Sequence, residues 1–381
     1  MRILQLGKFY PIFGGVEKVM WDLTRGISNR GIQCDMLCCG LRREIRHRVP
    51  GSFFSSRLVI NFNENGKCVV VPAIMKVAST MISLKLILEL RRVMRDYDII
   101  HVHHPDPMAG IALRLSGYRG RVVLHWHSDI IKQKSLLRLY GPVLRWLIAR
   151  ADAIVGTTPV YVRDSYFLKD VQDKVSFIPI GIDAVQPDVK GAERIRERFR
   201  GKKIIYSLGR LVGYKGYEYL IEAARYLPDD YQILIGGDGP DRDSLVLRIM
   251  ECGVVGKVTL LGYIDDLDFA AYYSACDVFA LSSVIKTEAF AIVQIEAMSC
   301  GKPVVATQIE GSGVSWVNKD GESGLNVPPR DGQALADAIL AISRDETVYG
   351  EFSARALNRY KDMFTYDVMI DKCLTLYNSL K

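Results

Sequence analysis

The chain has 381 residues, 49% of them hydrophobic, which is enough to bury the cores of two ordinary domains. Its formal net charge of +7 is uneven, because residues 1–150 carry +14 and residues 151–381 carry −7. We therefore expect the first half to meet an anionic partner, either a lipid surface, a phosphorylated acceptor or nucleic acid. Nothing at the start resembles a signal peptide, and no apolar run approaches the roughly 20 residues of a spanning helix, so we expect a cytoplasmic protein.

The eight cysteines show no Cys-x-x-Cys pair and no regular spacing. This pattern argues against a disulfide framework and against a zinc knuckle. We expect most of these cysteines to be reduced, buried, small apolar residues.

Strands alternate with helices in the first half of the chain. A buried strand is predicted over 2–7, followed by a glycine loop and a helix over 16–30 with apolar residues at helical spacing. Further strands are predicted over 98–103, 122–126 and 153–156, each before a helix or a turn. This alternation is typical of a parallel, doubly wound sheet.

A second series of the same kind follows residues 178–191, where prolines and glycines indicate a linker. Its predicted strands lie at 203–208, 232–235, 258–261, 278–281 and 303–306. The fold class is therefore α/β, with two Rossmann-like domains that we expect to face each other across a cleft at the carboxyl ends of their strands.

Glycines and cations mark two candidate anion-binding turns. Gly14 and Gly15 follow the first strand and precede a helix, whose free N–H groups favour an anion. Arg210 and Lys215 lie in a glycine-rich turn after a strand of the second series, where two cations can neutralise a diphosphate without a metal. The chain contains neither a G-x-G-x-x-G fingerprint nor a P-loop, which disfavours nucleoside triphosphate hydrolysis.

Two glutamates, Glu288 and Glu296, are separated by seven residues at the start of a predicted apolar helix. One carboxylate can reach a sugar and the other a ribose. Glu296 stands among apolar neighbours, so it should have a hydrogen-bonding partner.

These motifs, in this order, resemble family 4 retaining glycosyltransferases of GT-B fold across almost the whole chain. The resemblance rests on Gly14-Gly15, His127 within His125-Trp-His-Ser-Asp129, Gly209-Arg-Leu with Lys215-Gly, Gly236-Gly-Asp-Gly-Pro240, Gly262-Tyr-Ile and Glu288-x7-Glu296. It implies an acceptor-side domain over 1–184, a donor domain over 185–359, and a last helix, about 360–381, that returns to the first domain.

The resemblance also implies a role for each matching position. Arg210 and Lys215 would hold the donor diphosphate, Glu296 the ribose hydroxyls, and the loop Gly262, Tyr263 and Ile264 would flank the base. The transferred sugar would contact Glu288, the backbone of Ala289, Phe290 and Ala291, and His127 from the first domain. Gly14 and Gly15 would lie against the diphosphate or the acceptor.

The implied reaction retains the anomeric configuration and needs no metal, and the leaving phosphate helps to deprotonate the incoming hydroxyl. By general similarity we expect bacterial surface-polysaccharide assembly, such as O-antigen or capsule, with GDP-mannose as the first donor to test and UDP-sugars next. The acceptor would be a glycan or a lipid-diphosphate-linked glycan. Ala291 departs from the family pattern, which often has glycine beside the sugar.

A histidine cluster supports a rival hypothesis, a metal-dependent hydrolase. The two His-x-His pairs, His101 with His103 and His125 with His127, could hold zinc or iron, with Asp106 or Asp129 as a further ligand. Two Asp-x-Asp matches, at 241–243 and 266–268, could instead hold a divalent cation on a nucleotide. We expect these acidic residues to be ordinary helix-start or loop residues.

The segment Lys132–Arg150 combines basic residues with Leu and Trp, a composition that suits either an anionic membrane or a helix packed on its own sheet. In the second case Pro142 is expected to interrupt the helix. A non-enzymatic basic module that binds nucleic acid or membrane is a further alternative, but no basic stripe with interleaved aromatic residues is present, so we expect no nucleic-acid partner. We expect peripheral contact with a membrane that carries the acceptor.

Overall fold

The computed structural model describes residues 1–12, 14–46, 57–77, 80–130, 134–265 and 267–381. The chain divides into two compact units. Unit 1 comprises Met1–Ile180 together with Tyr366–Lys381, and unit 2 comprises Gly181–Thr365. The boundaries expected from the sequence, after residue 184 and near residue 360, lie a few residues away from these.

Unit 1 contains ten strands and six helices in its first segment, among the residues that the structure describes. The strands are β1 Arg2–Tyr10, β2 Gln33–Leu41, β3 Leu58–Asn63, β4 Gly66–Ala73, β5 Met75–Val77, β6 Thr80–Ile82, β7 Ile99–His104, β8 Arg121–Trp126, β9 Ala153–Gly156 and β10 Val175–Phe177. The helices are α1 Gly15–Asn29, α2 Arg42–Arg46, α3 Leu84–Val93, α4 Pro107–Ser116, α5 Lys134–Arg150 and α6 Pro159–Arg163.

The main sheet of unit 1 has the strand order β10-β9-β8-β7-β1-β2-β4-β3. All neighbours in it are parallel except β3, which forms an antiparallel edge with β4. The apolar residues predicted for the first helix are buried against this sheet in α1, namely Val19, Met20, Leu23 and Ile27. Strands β5 and β6 form a separate antiparallel hairpin.

Unit 2 carries a fully parallel sheet of six strands, in the order β13-β12-β11-β14-β15-β16. The strands are β11 Lys203–Leu208, β12 Tyr231–Gly236, β13 Val258–Gly262, β14 Val278–Leu281, β15 Val304–Thr307 and β16 Gly324–Val327. The helices are α7 Val189–Arg198, α8 Tyr217–Ala223, α9 Arg242–Glu251, α10 Phe269–Ala275, α11 Ile292–Ser299, α12 Val314–Val317, α13 Gly332–Ser343 and α14 Glu346–Met363.

The last helix, α15 (Tyr366–Ser379), belongs to unit 1 and packs on α1. Gly26 allows the close approach, because a Cβ there would lie 2.4 Å from the Ile370 side chain. The Tyr366 hydroxyl also donates to the Asp22 carbonyl at 2.8 Å. The return of the chain terminus to the first domain is therefore present, with the crossing at Tyr366.

Two sequence-based expectations about helices are tested by the structure. Helix α5 runs through Pro142 without a break, so the expected interruption is wrong, and Lys132 lies outside the described residues. Within the described residues, no helix is long and apolar enough to cross a membrane.

All eight cysteines are free thiols, and most are buried as expected.

Candidate active site

Each unit has a point where the order of its parallel strands reverses. In unit 2 the chain proceeds from β11 outward to β12 and β13, and then returns to β14 on the other side of β11. In unit 1 the corresponding reversal of strand order lies between the neighbouring strands β1 and β7. Parallel sheets bind ligands at the carboxyl ends of such neighbouring strands. The residues that follow these four strands are therefore the first candidates.

In unit 2 this position is occupied by a buried ion pair between Lys215 and Glu288. Lys215 ends a short 3₁₀ turn after β11, and Glu288 lies in the loop after β14. Their Nζ and Oε2 atoms are 2.5 Å apart, and the side chains are only 11% and 10% exposed. The Ser283 hydroxyl donates to the same carboxylate oxygen at 2.9 Å. Oε1 of Glu288 accepts no hydrogen bond from the described residues.

The Lys215 ammonium is held in its charged form. Burial is the largest single influence and acts to lower its pKa, but the charge of Glu288, the charges of Tyr214 and Tyr217 and the hydrogen bond to Glu288 together outweigh burial and raise the pKa above the ordinary value. Arg210, five residues earlier, is exposed and pairs with no carboxylate in the described part of the chain. The site therefore presents one compensated cation and one uncompensated cation.

The loop from Glu288 to Ala291 is fixed by side chains outside it. The Ser312 hydroxyl donates to the Glu288 carbonyl, and Gly313 N–H donates to the Ala289 carbonyl at 3.0 Å. The N–H groups of Ala289, Phe290 and Ala291 donate to no acceptor among the described residues, immediately before α11 begins. Three such donors at a helix N-terminus can bind an anion or sugar oxygens.

Ala291 adopts the left-handed conformation, with φ of 61°, at the N-cap position of α11. This conformation is unfavourable for a residue with a Cβ. A glycine, which the resemblance implies at this position, would fit the same backbone without strain. The alanine therefore adds a side chain here but does not change the backbone of the loop.

Glu296 has the partner that its apolar surroundings predicted. Its Oε2 atom accepts from the Tyr273 hydroxyl at 2.8 Å. Burial and the neighbouring Glu296 raise the pKa of Tyr273, which keeps the phenol protonated as a donor. Gly262 ends β13 and accepts from Gly237 N–H at 2.7 Å, while the Tyr263 side chain that follows is exposed. The predicted base-flanking loop thus lies at the carboxyl edge of the sheet, and Ile264 is half-buried beside Gly236.

In unit 1, Gly14 and Gly15 follow β1 as predicted, with Gly14 at the N-cap position of α1 and Gly15 as its first residue. Lys8 precedes them in the left-handed conformation, and its N–H donates to Asp106, which follows β7, at 2.5 Å. Burial lowers the pKa of Lys8, and the charges of Glu17 and Asp106 oppose that shift. This cation beside the glycine loop was not singled out from the sequence.

Buried side chains of unit 1 form a hydrogen-bonded chain that ends at His127. Gln5 donates its amide to the Tyr377 hydroxyl at 3.2 Å, so its carbonyl oxygen accepts from His103 Nε2 at 2.7 Å. The Tyr377 hydroxyl lies 2.5 Å from His101 Nδ1.

The tautomers follow from this chain. Burial, together with neighbouring histidines, lowers the pKa of His103 and His127 well below the ordinary value, so each neutral ring carries one proton. His103 Nδ1 is therefore an acceptor, and His127 Nε2 donates to it at 2.9 Å. His127 Nδ1 is left as an unprotonated acceptor, buried and without a partner among the described residues.

Comparison with known proteins identifies the family of the chain. The models for Glycosyltransferase Family 4 and for Glycosyl transferases group 1 match residues 13–186 and 190–359 respectively. The chain is 32% identical to O-antigen chain mannosyltransferase C of Escherichia coli, over 100% of this chain and 99% of that protein.

The chain belongs to glycosyltransferase family 4. It is also 30% identical to the D-rhamnosyltransferase WbpZ of Pseudomonas aeruginosa, over 96% of this chain and 92% of that protein. The crystal structure of Anabaena HepE in complex with UDP matches the whole of both chains with a TM-score of 0.78 at 19% identity. This likeness confirms the GT-B type fold with two Rossmann-like domains.

For this family 4 glycosyltransferase, the metal-dependent hydrolase is not supported. One ring nitrogen each of His101, His103 and His125 lies within 4.8 Å of the others. The rings are stacked with interplanar angles of 12–26°, and imidazole lone pairs lie in the ring plane, so they do not converge on one ion. Both nitrogens of His103 are already hydrogen-bonded. Asp106 accepts from backbone N–H groups, and Asp129 from an indole and a hydroxyl.

The Asp-x-Asp matches also fit the expectation of ordinary acidic residues. Asp241 is at the N-cap position of α9, and Asp243 lies in its first turn. In the second match Asp266 lies outside the described residues, and Asp268 is exposed before α10.

Proposed function

We propose that this family 4 enzyme is a retaining glycosyltransferase that moves a hexose from a nucleotide diphosphate sugar to a glycan or lipid-linked acceptor, without a catalytic metal. The process is bacterial surface-polysaccharide assembly at the cytoplasmic side of the membrane. The similarity to an O-antigen mannosyltransferase and to a D-rhamnosyltransferase supports this choice and makes GDP-mannose the first donor to test. The UDP complex of HepE makes UDP-sugars the second.

The observation that carries the proposal is the group of cations and N–H donors at the strand reversal of unit 2. The costly event in glycosyl transfer is the growth of negative charge on the leaving diphosphate. Preorganised cations and N–H groups stabilise that charge more in the transition state than in the ground state. Arg210 supplies an uncompensated charge, and Lys215 is held in place by Glu288.

Glu288 is assigned to recognition of the transferred sugar. Its Oε2 atom is occupied by Lys215 and Ser283, whereas Oε1 can accept a sugar hydroxyl. A carboxylate committed to an ion pair is a weak base as well as a weak nucleophile, so we assign deprotonation of the incoming hydroxyl to the leaving phosphate. Glu296 and its partner Tyr273 are assigned to the ribose hydroxyls.

In unit 1 the assignments concern the sugar and the acceptor. His127 Nδ1, an acceptor by its tautomer, is assigned to a hydroxyl of the donor sugar. Gly14, Gly15 and Lys8 are assigned to the anionic part of the acceptor or of the donor.

The test is calorimetric titration of the purified protein with GDP, UDP, ADP and dTDP in EDTA. A single Lys215→Met change would leave Glu288 buried and unpaired, at a cost of about 3–5 kcal/mol, and would confuse binding with folding. The variant Lys215→Met/Glu288→Gln removes both charges together. We expect it to remain folded and to bind the preferred diphosphate at least about tenfold more weakly.

The matched control is Lys257→Met, because Lys257 lies in the same unit just before β13, at the amino end of that strand, and pairs with Asp229. It should leave nucleotide affinity unchanged. With donor and acceptor supplied, NMR of the product should show the donor's anomeric configuration. Binding that requires added metal, or that survives in the double variant, would contradict the proposed donor site.

A further inference from the structure

An unusual concentration of exposed apolar side chains lies between residues 74 and 88 of unit 1. Each has more than a third of its surface exposed, and three have more than 60% exposed. They are Ile74 (64%), Met75 (53%), Val77 (42%), Ile82 (36%), Leu84 (64%) and Leu88 (63%). We call these six residues, with Lys76 and Lys85, the apolar-basic patch. Exposed apolar side chains concentrated in one part of a domain in this way mark an interaction site.

The fold of unit 1 does not account for this exposure. In α3, Leu86 and Leu90 point inward and are buried, which is the stripe that attaches the helix to the unit. Leu84 and Leu88 have the same spacing but form a second stripe toward solvent, where a surface helix is normally polar. The adjoining strand β5 is exposed along its whole length.

The charge around the patch selects its occupant. Within residues 74–92 the charged side chains are four cations and one acid, Glu89, which is paired with Arg57 and Arg92. Lys76 has no acidic residue within four positions in the sequence, and the one acid near Lys85, Glu89, is already paired with the two arginines. A second copy of the chain would bring like charges together, whereas an anionic lipid surface complements both the apolar and the basic side chains.

The position of the patch relates it to the site. The hairpin of β5 and β6 directly follows the carboxyl end of β4, on the same edge of the sheet as the carboxyl end of β1. The Lys76 ammonium lies 4.2 Å from the centre of the Phe9 ring, near the end of β1 and a few residues before Gly14. The patch therefore borders the side of unit 1 that holds the glycine loop and Lys8.

We propose that the apolar-basic patch docks unit 1 on an anionic lipid surface. Leu84 and Leu88 enter the interface between headgroups and acyl chains, and Lys76 and Lys85 contact the lipid phosphates. This site differs from the segment Lys132–Arg150 that the sequence suggested. The docking itself does not depend on the proposed function. Only its role, to present a lipid-linked acceptor to the glycine loop, rests on that function.

The experiment is co-sedimentation of the full chain with vesicles of phosphatidylethanolamine and phosphatidylglycerol at 3:1, compared with pure phosphatidylcholine. We expect binding to the anionic vesicles, weakened by high salt. The variant Leu84→Glu/Leu88→Glu should lower the partition coefficient at least tenfold. Leu247→Glu is the matched control, because Leu247 is 60% exposed on α9 of unit 2 and should bind like the parent.

Further readouts separate the possible results. Leu139→Glu probes α5, and loss of binding in that variant alone would overturn the patch in favour of α5. No binding to anionic vesicles at low salt, or a dimer that dissociates in Leu84→Glu/Leu88→Glu, would also overturn it. Nucleotide affinity should not change in this variant, because the donor site lies in unit 2. Vesicle binding without nucleotide binding would leave the docking intact and refute the proposed function.

Discussion

Acidification should destabilise unit 1 far more than unit 2. Five of the six histidines, His101, His103, His104, His125 and His127, are buried together in unit 1. Burial lowers their pKa from the ordinary 6.5, to about 3 for His104 and His125, and for His101, His103 and His127 the neighbouring histidines lower it further. Unit 2, by contrast, contains no histidine at all. The chain therefore provides its own internal control.

The sign follows from the lowered pKa values. Below pH 6.5 the histidines of the unfolded chain bind protons and those of the folded chain do not. The contribution of the buried histidines to the free energy of unfolding is therefore fully present above pH 6.5 and is lost as the pH falls. Between pH 7.5 and 5.5 each buried histidine costs about 1.4 kcal/mol, and five cost about 7 kcal/mol. Burial raises the pKa of Asp106, which acts in the opposite direction, but it is one group against five. A loss of this size is comparable to the whole stability of a domain, roughly 5–15 kcal/mol.

The assay is urea unfolding at pH 7.5, 6.5 and 5.5, with hydrogen exchange to resolve the two units. The buried Trp126, stacked on His104 with ring centres 4.0 Å apart, is a probe inside unit 1. His125→Phe keeps a ring in the stack but removes one titrating group, so it should reduce the pH-dependent loss by about one fifth, roughly 1.4 kcal/mol. If the free energy of unfolding of unit 1 at pH 5.5 stayed within about 1 kcal/mol of its value at pH 7.5, the neutral buried cluster would be refuted.

Three further substitutions test the local geometry of unit 2. Gly216→Ala should destabilise the unit by at least about 2 kcal/mol in urea unfolding, because φ is +63° and the new Cβ would lie 2.2 Å from the Ser282 carbonyl oxygen. Ala291→Gly should raise stability by about 0.5–1 kcal/mol in the same assay, because it relieves a left-handed alanine, and a loss of stability would contradict that reasoning. Tyr273→Phe should weaken nucleotide binding by a few fold in calorimetry, because it removes the donor that orients Glu296, and an unchanged affinity would argue against a ribose role.

The sequence predicted the alternating architecture and the chemical character of the unit 2 site, but not its internal pairing. Lys215 and Glu288 were assigned separately, the cation to a diphosphate and the carboxylate to a sugar. They are 73 residues apart and meet because β14 returns to the strand β11 instead of extending the sheet beyond β13. Local periodicity identifies strands but carries no information about their order. The contact between Lys215 and Glu288 could therefore be recognised only once the strand order was known.

The sequence also left β2 and β4 unrecognised, although both are interior strands of the unit 1 sheet. The run Gln33–Leu41 contains four residues that are easily assigned other roles, three cysteines and Asp35. In the structure Asp35 is buried and accepts from the Tyr97 hydroxyl at 2.6 Å and from Lys67 N–H at 3.0 Å. Gln33 Nε2 also donates to Asp35 at 3.2 Å, but the other partners of this carboxylate are distant in sequence. Such a charge looks incompatible with a buried strand until those partners are known.

The histidine spacing likewise predicted which side chains come together but not how their rings are oriented. Alternate residues of a strand share a face, so His101 and His103 of β7 and His125 of β8 were correctly expected to come together. Strands β7 and β8 are parallel and pair His103 with His125 in register, which places the rings side by side and stacks them. Stacking aligns the ring planes, and each in-plane lone pair then points along its own layer. Spacing alone cannot distinguish convergent from parallel rings, and parallel rings favour a hydrogen-bonded chain over a metal site.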